Sequence, residues 1–77
     1  GGGETHLKKG ETYGPYFSVF PLGEEVFGFS IKGAKYPLSN HTLIPYDSLC
    51  VSNQFLEDEV IISFLNGIVI LMETKDR

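Results

Sequence analysis

Apolar and polar residues alternate with a period of two along much of this chain, and the runs that carry the alternation are short. In Val26–Ile31, the side chains of Phe27, Phe29 and Ile31 share one side, opposite Gly28, Ser30 and Lys32. That is the pattern of a half-buried strand. Tyr16–Phe20 is a second strand-like run, and Pro21-Leu22-Gly23-Glu24-Glu25 between the two supplies turn chemistry. Thr42–Ile44 and Ser48–Val51 are shorter candidates separated by Pro45-Tyr46-Asp47, where the proline predicts an edge, a bulge or a corner. Gln54–Glu59 reads as one helical turn or a polar loop.

The last run behaves differently. Val60–Met72 is apolar except at Ser63, Asn66 and Gly67. It is too short to span a bilayer, which takes about 20 residues. Asn66-Gly67 at its centre is the strongest short hairpin signal, since both residues accept positive φ. The flanks are dense in β-branched and aromatic residues, which suit a pleated surface, and a helix would have to carry Gly67 in its interior. The pattern therefore predicts an all-β fold, a small antiparallel barrel or sandwich of five or six short strands. It closes with a C-terminal Asn-Gly hairpin and includes at most one helical turn.

Neither face of that hairpin is polar. Val60, Ile62 and Phe64 alternate with Ile61, Ser63 and Leu65, and Ile68, Ile70 and Met72 alternate with Val69, Leu71 and Glu73. One core covers one face, so the other needs a second layer. Either the middle segment of the chain folds over that face or a second chain does. Ile61, Leu65, Val69 and Leu71 are the expected interface, and a homo-oligomer is the expected partner, with closure within the chain or another protein as the alternatives.

Composition sharpens this expectation. Seventy-seven residues make one domain, with residues 1–5 read as a flexible tail or expression scar because of the three opening glycines. A chain this short buries only about 60% of the surface its unfolded form exposes. Cys50 is the only cysteine, so no internal disulfide supplements the core. One Cys and two separated His fall short of a closed zinc site, and neither a metal nor a cofactor is expected. Ten acidic against six basic residues give a net charge of −4, which disfavours nucleic acid and anionic membranes. The lone thiol and the lack of an apolar leader point to the cytoplasm.

Few residues suggest chemistry. Glu25-Val26-Phe27-Gly28-Phe29 partly resembles the aromatic strand with which RRM and cold-shock domains stack bases. Those motifs place a basic residue and a glycine before the aromatics, where this chain has Glu25-Val26. A single-stranded nucleic-acid site built on Phe27, Phe29, Lys32 and Lys35 is therefore the alternative reading, and aromatic packing in the core is the favoured one. Cys50 between Leu49 and Val51 reads as a buried thiol, and Asp47-Ser48 near His41 lacks any nucleophile elbow. Glu24-Glu25 and Glu57-Asp58-Glu59 lack the ligand spacing of a calcium loop, and Asn40-His41-Thr42 matches a glycosylation sequon without other support. Tyr13, Tyr16, Tyr36 and Tyr46 are candidates for a ligand-facing aromatic surface, since tyrosine joins an apolar body to a polar tip. The reading from sequence is a non-catalytic binding or interaction module acting as a homo-oligomer, not an enzyme. An inhibitor or immunity-type protein is the remaining alternative.

Overall fold

The computed structural model describes residues 2–11, 14–45 and 51–75. Among these described residues, seven antiparallel strands form two sheets. They are β1 (Gly3–Lys8), β2 (Tyr16–Pro21), β3 (Val26–Lys32), β4 (Leu38–Leu43), β5 (Val51–Gln54), β6 (Glu59–Phe64) and β7 (Val69–Thr74). The four-stranded sheet runs β1-β6-β3-β4 and the three-stranded sheet runs β5-β2-β7. A single 3-10 turn, Lys9–Glu11, follows β1.

The sandwich exists because alternate residues of both sheets are apolar and point at each other. Phe17 and Val19 of β2 meet Val26, Phe29 and Ile31 of β3, Leu43 of β4, and Val60 and Ile62 of β6. Ala34 and Phe55, joined by an isolated bridge, complete this layer, and Phe55 meets Phe17 edge to face with ring centroids 5.6 Å apart. The all-β sandwich agrees with the sequence pattern.

Four details differ from the pattern, each for a physical reason. The Asn66-Gly67 turn does not make a hairpin, because β6 pairs with β1 and β3 whereas β7 pairs with β2. The turn is a corner where the chain passes from one sheet to the other. There the Asn66 side chain accepts from the Phe27 N–H at 2.8 Å and donates to the Glu25 carbonyl at 2.8 Å. It thus ties the corner to the start of β3.

Phe27 and Phe29 do not share a face. Val26 pairs with Leu43 but Phe29 with His41, so β3 carries one extra residue there. Gly28, at φ 63°, absorbs the bulge. Phe29 is 0% exposed and Phe27 48%. Residues 3–5 do not trail as a tail: Gly3, Glu4 and Thr5 pair with Phe64, Ser63 and Ile62. The polar Glu4, His6 and Lys8 hide this strand from a hydrophobicity reading, since β1 is an edge strand with a solvated outer face. Finally, the only helical turn among the described residues lies at Lys9–Glu11, and Gln54–Glu59 follows the loop alternative: the end of β5, the Phe55 bridge, an exposed bend over residues 56–58 and the first residue of β6.

Gly28 gives a direct check. A side chain there faces both a positive φ and the Leu65 side chain, whereas one at Gly10 meets nothing within 4 Å. Gly28→Ala is expected to lower the unfolding free energy by about 1–3 kcal/mol, and Gly10→Ala to stay within about 0.5 kcal/mol, read from urea midpoints at unchanged slope.

Candidate functional site

The strand directions give the sandwich two unlike ends. At one end lie the Leu22–Glu25 turn and the Leu65–Ile68 corner, bound by Leu22 N–H to the Ile68 carbonyl and Leu65 N–H to the Phe27 carbonyl, both at 2.9 Å. Leu22, Phe27, Ile44, Leu65 and Ile68 are all exposed there, beside Glu24 and Glu25. The opposite end collects Lys8, Lys9, Lys32, Lys35 and Lys75, which are all the lysines of the chain. Polar chemistry concentrates at this second end.

An open groove of about 780 Å³ lies there, lined by Lys8, Lys9, Gly10, Asp58 and Glu59. Its two walls are joined by the Lys9 N–H, which donates to the Asp58 carbonyl at 2.8 Å. The loop between β3 and β4 is tied to the segment just before Asp58. Gly33 accepts hydrogen bonds through its carbonyl from the Leu56 and Glu57 N–H groups, at 3.0 and 2.9 Å.

Asn53 holds this loop in place. It is the one buried polar residue among the described residues, 3% exposed. Its Oδ1 accepts from the Tyr36 N–H at 2.9 Å and the Gln54 N–H at 3.0 Å, and its Nδ2 donates to the Tyr36 carbonyl at 2.7 Å. A buried amide satisfied three times is a rigid anchor, because losing it would strand three backbone groups. It fixes the backbone of Tyr36, whose ring is exposed and lies 5.5 Å from the Lys35 Nζ.

On the outer face of the four-stranded sheet, His6 stands between two carboxylates. Its Nε2 lies 2.8 Å from Glu4 Oε2 and its Nδ1 3.2 Å from Glu59 Oε2. The hydrogen bond to Glu4 first, and that to Glu59 second, raise the His6 pKa above 6.5.

The residues singled out from sequence scatter over this frame. Ile61 and Leu65 lie in or beside the four-stranded sheet, with Leu65 72% exposed, while Val69 and Leu71 sit in the other sheet and pack against the core. These four do not form one face. On β7 it is Ile70 and Met72 that point outward, because β7 joins β2 and not β6. Phe27 lies at the end opposite Lys32 and Lys35, and Phe29 is buried, so the stacking set does not converge. Tyr36 is exposed and Tyr16 half-buried between Gln54 and Thr74. Tyr13, Tyr46, Asp47, Ser48 and Cys50 lie outside the described residues. Asn40 and His41 are exposed on β4, and among the described residues no group of three His, Cys, Asp or Glu could hold a metal ion. No helix among them is long and apolar enough to cross a membrane.

The model of the thiamin pyrophosphokinase, vitamin B1 binding domain family matches residues 4–69, which include β1, the groove and the Asn53-anchored loop. The chain belongs to this family. The thiamine pyrophosphokinase of Bacillus subtilis (strain 168) is 32% identical over 74 residues, covering 96% of this chain and 34% of that protein. The crystal structure of the Bacillus subtilis enzyme superposes with a TM-score of 0.86 at 32% identity, over 97% of this chain and 35% of that one. That of thiamin pyrophosphokinase from Geobacillus thermodenitrificans gives 0.81 at 30% identity, over 90% of this chain and 32% of that one. The chain spans about a third of the length of these relatives.

Membership of a vitamin B1 binding domain family corrects two expectations. The chain is not a non-catalytic module defined by self-association, and "not an enzyme" fails because its relatives are enzymes of which it matches one domain. Sequence reasoning also missed His6, Asn53 and the groove. Glu57-Asp58-Glu59 was visible as an acidic run, but its neighbours Lys8 and Lys9 are about fifty positions away and meet it only through the pairing of β1 with β6.

The His6 cluster has a definite pH signature. Its folded pKa is raised, so the tie between β1 and β6 is complete below about pH 6.5 and is lost as pH rises through the folded pKa. An NMR titration is expected to place His6 above 6.5, with Glu4→Gln lowering the value more than Glu59→Gln.

Proposed function

We propose that this chain is the thiamine-binding domain of a thiamin pyrophosphokinase and that it receives thiamine at its lysine-rich end. The observation that carries the reading is the family match across residues 4–69. Thiamine presents a cationic thiazolium ring, an aminopyrimidine and a primary alcohol, the group that takes up diphosphate when thiamine becomes its diphosphate ester. The groove has counterparts to these. The Asp58 and Glu59 carboxylates favour a cation. Outside the groove's own lining but at the same end of the sandwich, the exposed Tyr36 ring, which already faces an ammonium group, suits positive charge on its π face. Lys8 and Lys9 suit the oxygens of a diphosphoryl group. In this reading the chain binds and orients the alcohol, while the transfer draws on parts of the longer enzyme outside the matched third. A cytoplasmic location accords with it, since the lone Cys50 has no internal disulfide to form.

Thiamine titrated into the chain and followed in amide NMR spectra is expected to move Lys8, Lys9, Tyr36, Asp58 and Glu59 in a saturable way. Tyr36→Ala and Glu59→Gln should each weaken binding by about fivefold or more, the equivalent of about 1 kcal/mol. Saturable shifts confined to other residues, or unchanged affinity in both variants, would overturn this placement.

A further inference from the structure

The Glu59 carboxylate has two roles that compete. It lines the groove with Lys8, Lys9 and Asp58, and its Oε2 lies 3.2 Å from His6 Nδ1. The other ring nitrogen of His6 is 2.8 Å from Glu4 Oε2. An imidazolium donates from both nitrogens and satisfies both carboxylates, whereas a neutral imidazole has one N–H and can serve only one. The shorter contact, to Glu4, is the one a neutral ring retains. Its Nδ1 then presents a lone pair to Glu59, and the contact turns from attractive to repulsive.

The charged groups around the ring are few. Glu4 and Lys8 share its face on β1, and Glu59, which pairs with Lys8, reaches it diagonally from β6 with Asp58 just before. Lys9 follows on the 3-10 turn, and Lys32 stands one strand further on, opposite the Ile61 that pairs with His6. β1 is the edge strand of its sheet and pairs only with β6 among the described strands.

We propose that His6 is a pH-sensitive positioning residue for the groove: as an imidazolium it holds the Glu59 carboxylate against β1, and on deprotonation it releases that carboxylate to a cationic ligand. The inference rests on the reading of the groove as the thiamine site. Its sign is fixed by competition. A proton on His6 and a cation in the groove contend for the same carboxylate, so ligand affinity rises with pH through the His6 titration. By linkage, a bound cation lowers the His6 pKa.

The test is a calorimetric titration of thiamine at several values between about pH 6 and pH 8, the range in which histidine changes charge. It is run with wild type, His6→Gln and Glu4→Gln, alongside NMR of the Glu59 carboxyl carbon. Wild-type affinity is expected to rise about threefold or more across this window. His6→Gln should remove that rise, which also subtracts any protonation of thiamine itself. Glu4→Gln should move the rise to lower pH. If Glu59 responds to thiamine but His6→Gln keeps the wild-type pH profile, the role of His6 is overturned and the site reading stands. If the Glu59 carboxyl responds to thiamine at no pH, both are overturned.

Discussion

Asn66 carries the hydrogen bonds that allow one continuous apolar run to serve two sheets. A strand leaving a sheet frees backbone groups that need partners, from protein or from water. At the corner, the Asn66 side chain takes the Phe27 N–H and the Glu25 carbonyl, and the Leu65 N–H takes the Phe27 carbonyl. β6 can then end against β3 while β7 crosses to β2. Everything else follows from that crossing. The apolar residues of β6 and β7 face each other across the core instead of lying side by side, and one layer of side chains serves both sheets. With no internal disulfide and few strands per sheet, neither sheet has a core without the other.

The same crossing separates the two ends of the molecule. Corner and β2–β3 turn lie at one end and carry exposed apolar side chains with two glutamates. The chain reversals at the other end bring together residues that are far apart in sequence: Lys8 and Lys9 where β1 ends, Lys35 and Tyr36 after β3, and Glu57–Glu59 where β6 begins. Asn53 makes that end rigid by holding Tyr36 from both its N–H and its carbonyl. A preformed polar end of mixed charge is the feature on which the proposed thiamine site rests.

β1 illustrates how such a site escapes a reading of the chain alone. Its outward residues Glu4, His6 and Lys8 are polar, and its inward residues include only Leu7 packed on the core. An edge strand needs little more, because one face and one edge are left to water. Yet the pairing of Lys8 with Glu59 and of His6 with Ile61 is what builds the groove wall and sets the imidazole between two carboxylates. The spacing of those groups along the chain carries no trace of this, since long-range register creates it.

Most of the strands were legible because alternation is a local property. A half-buried strand must place apolar residues at every second position, so Tyr16–Phe20, Val26–Ile31 and the two halves of Val60–Met72 announced themselves. The turn at Asn66-Gly67 was equally local, since positive φ at Gly67 depends on the residue alone. What the turn connects was not. Hairpin and inter-sheet corner begin with the same two residues, and only the competition among β1, β3 and β2 for backbone partners decides between them. The bulge that Gly28 permits likewise reverses Phe27, but the mismatch with β4 that calls for it is not written in β3. The sequence by itself determined an all-β chain with these strands and this turn. Tertiary structure alone decided which faces are buried, which charges meet in the groove and where His6 stands, because those depend on pairings between residues distant along the chain.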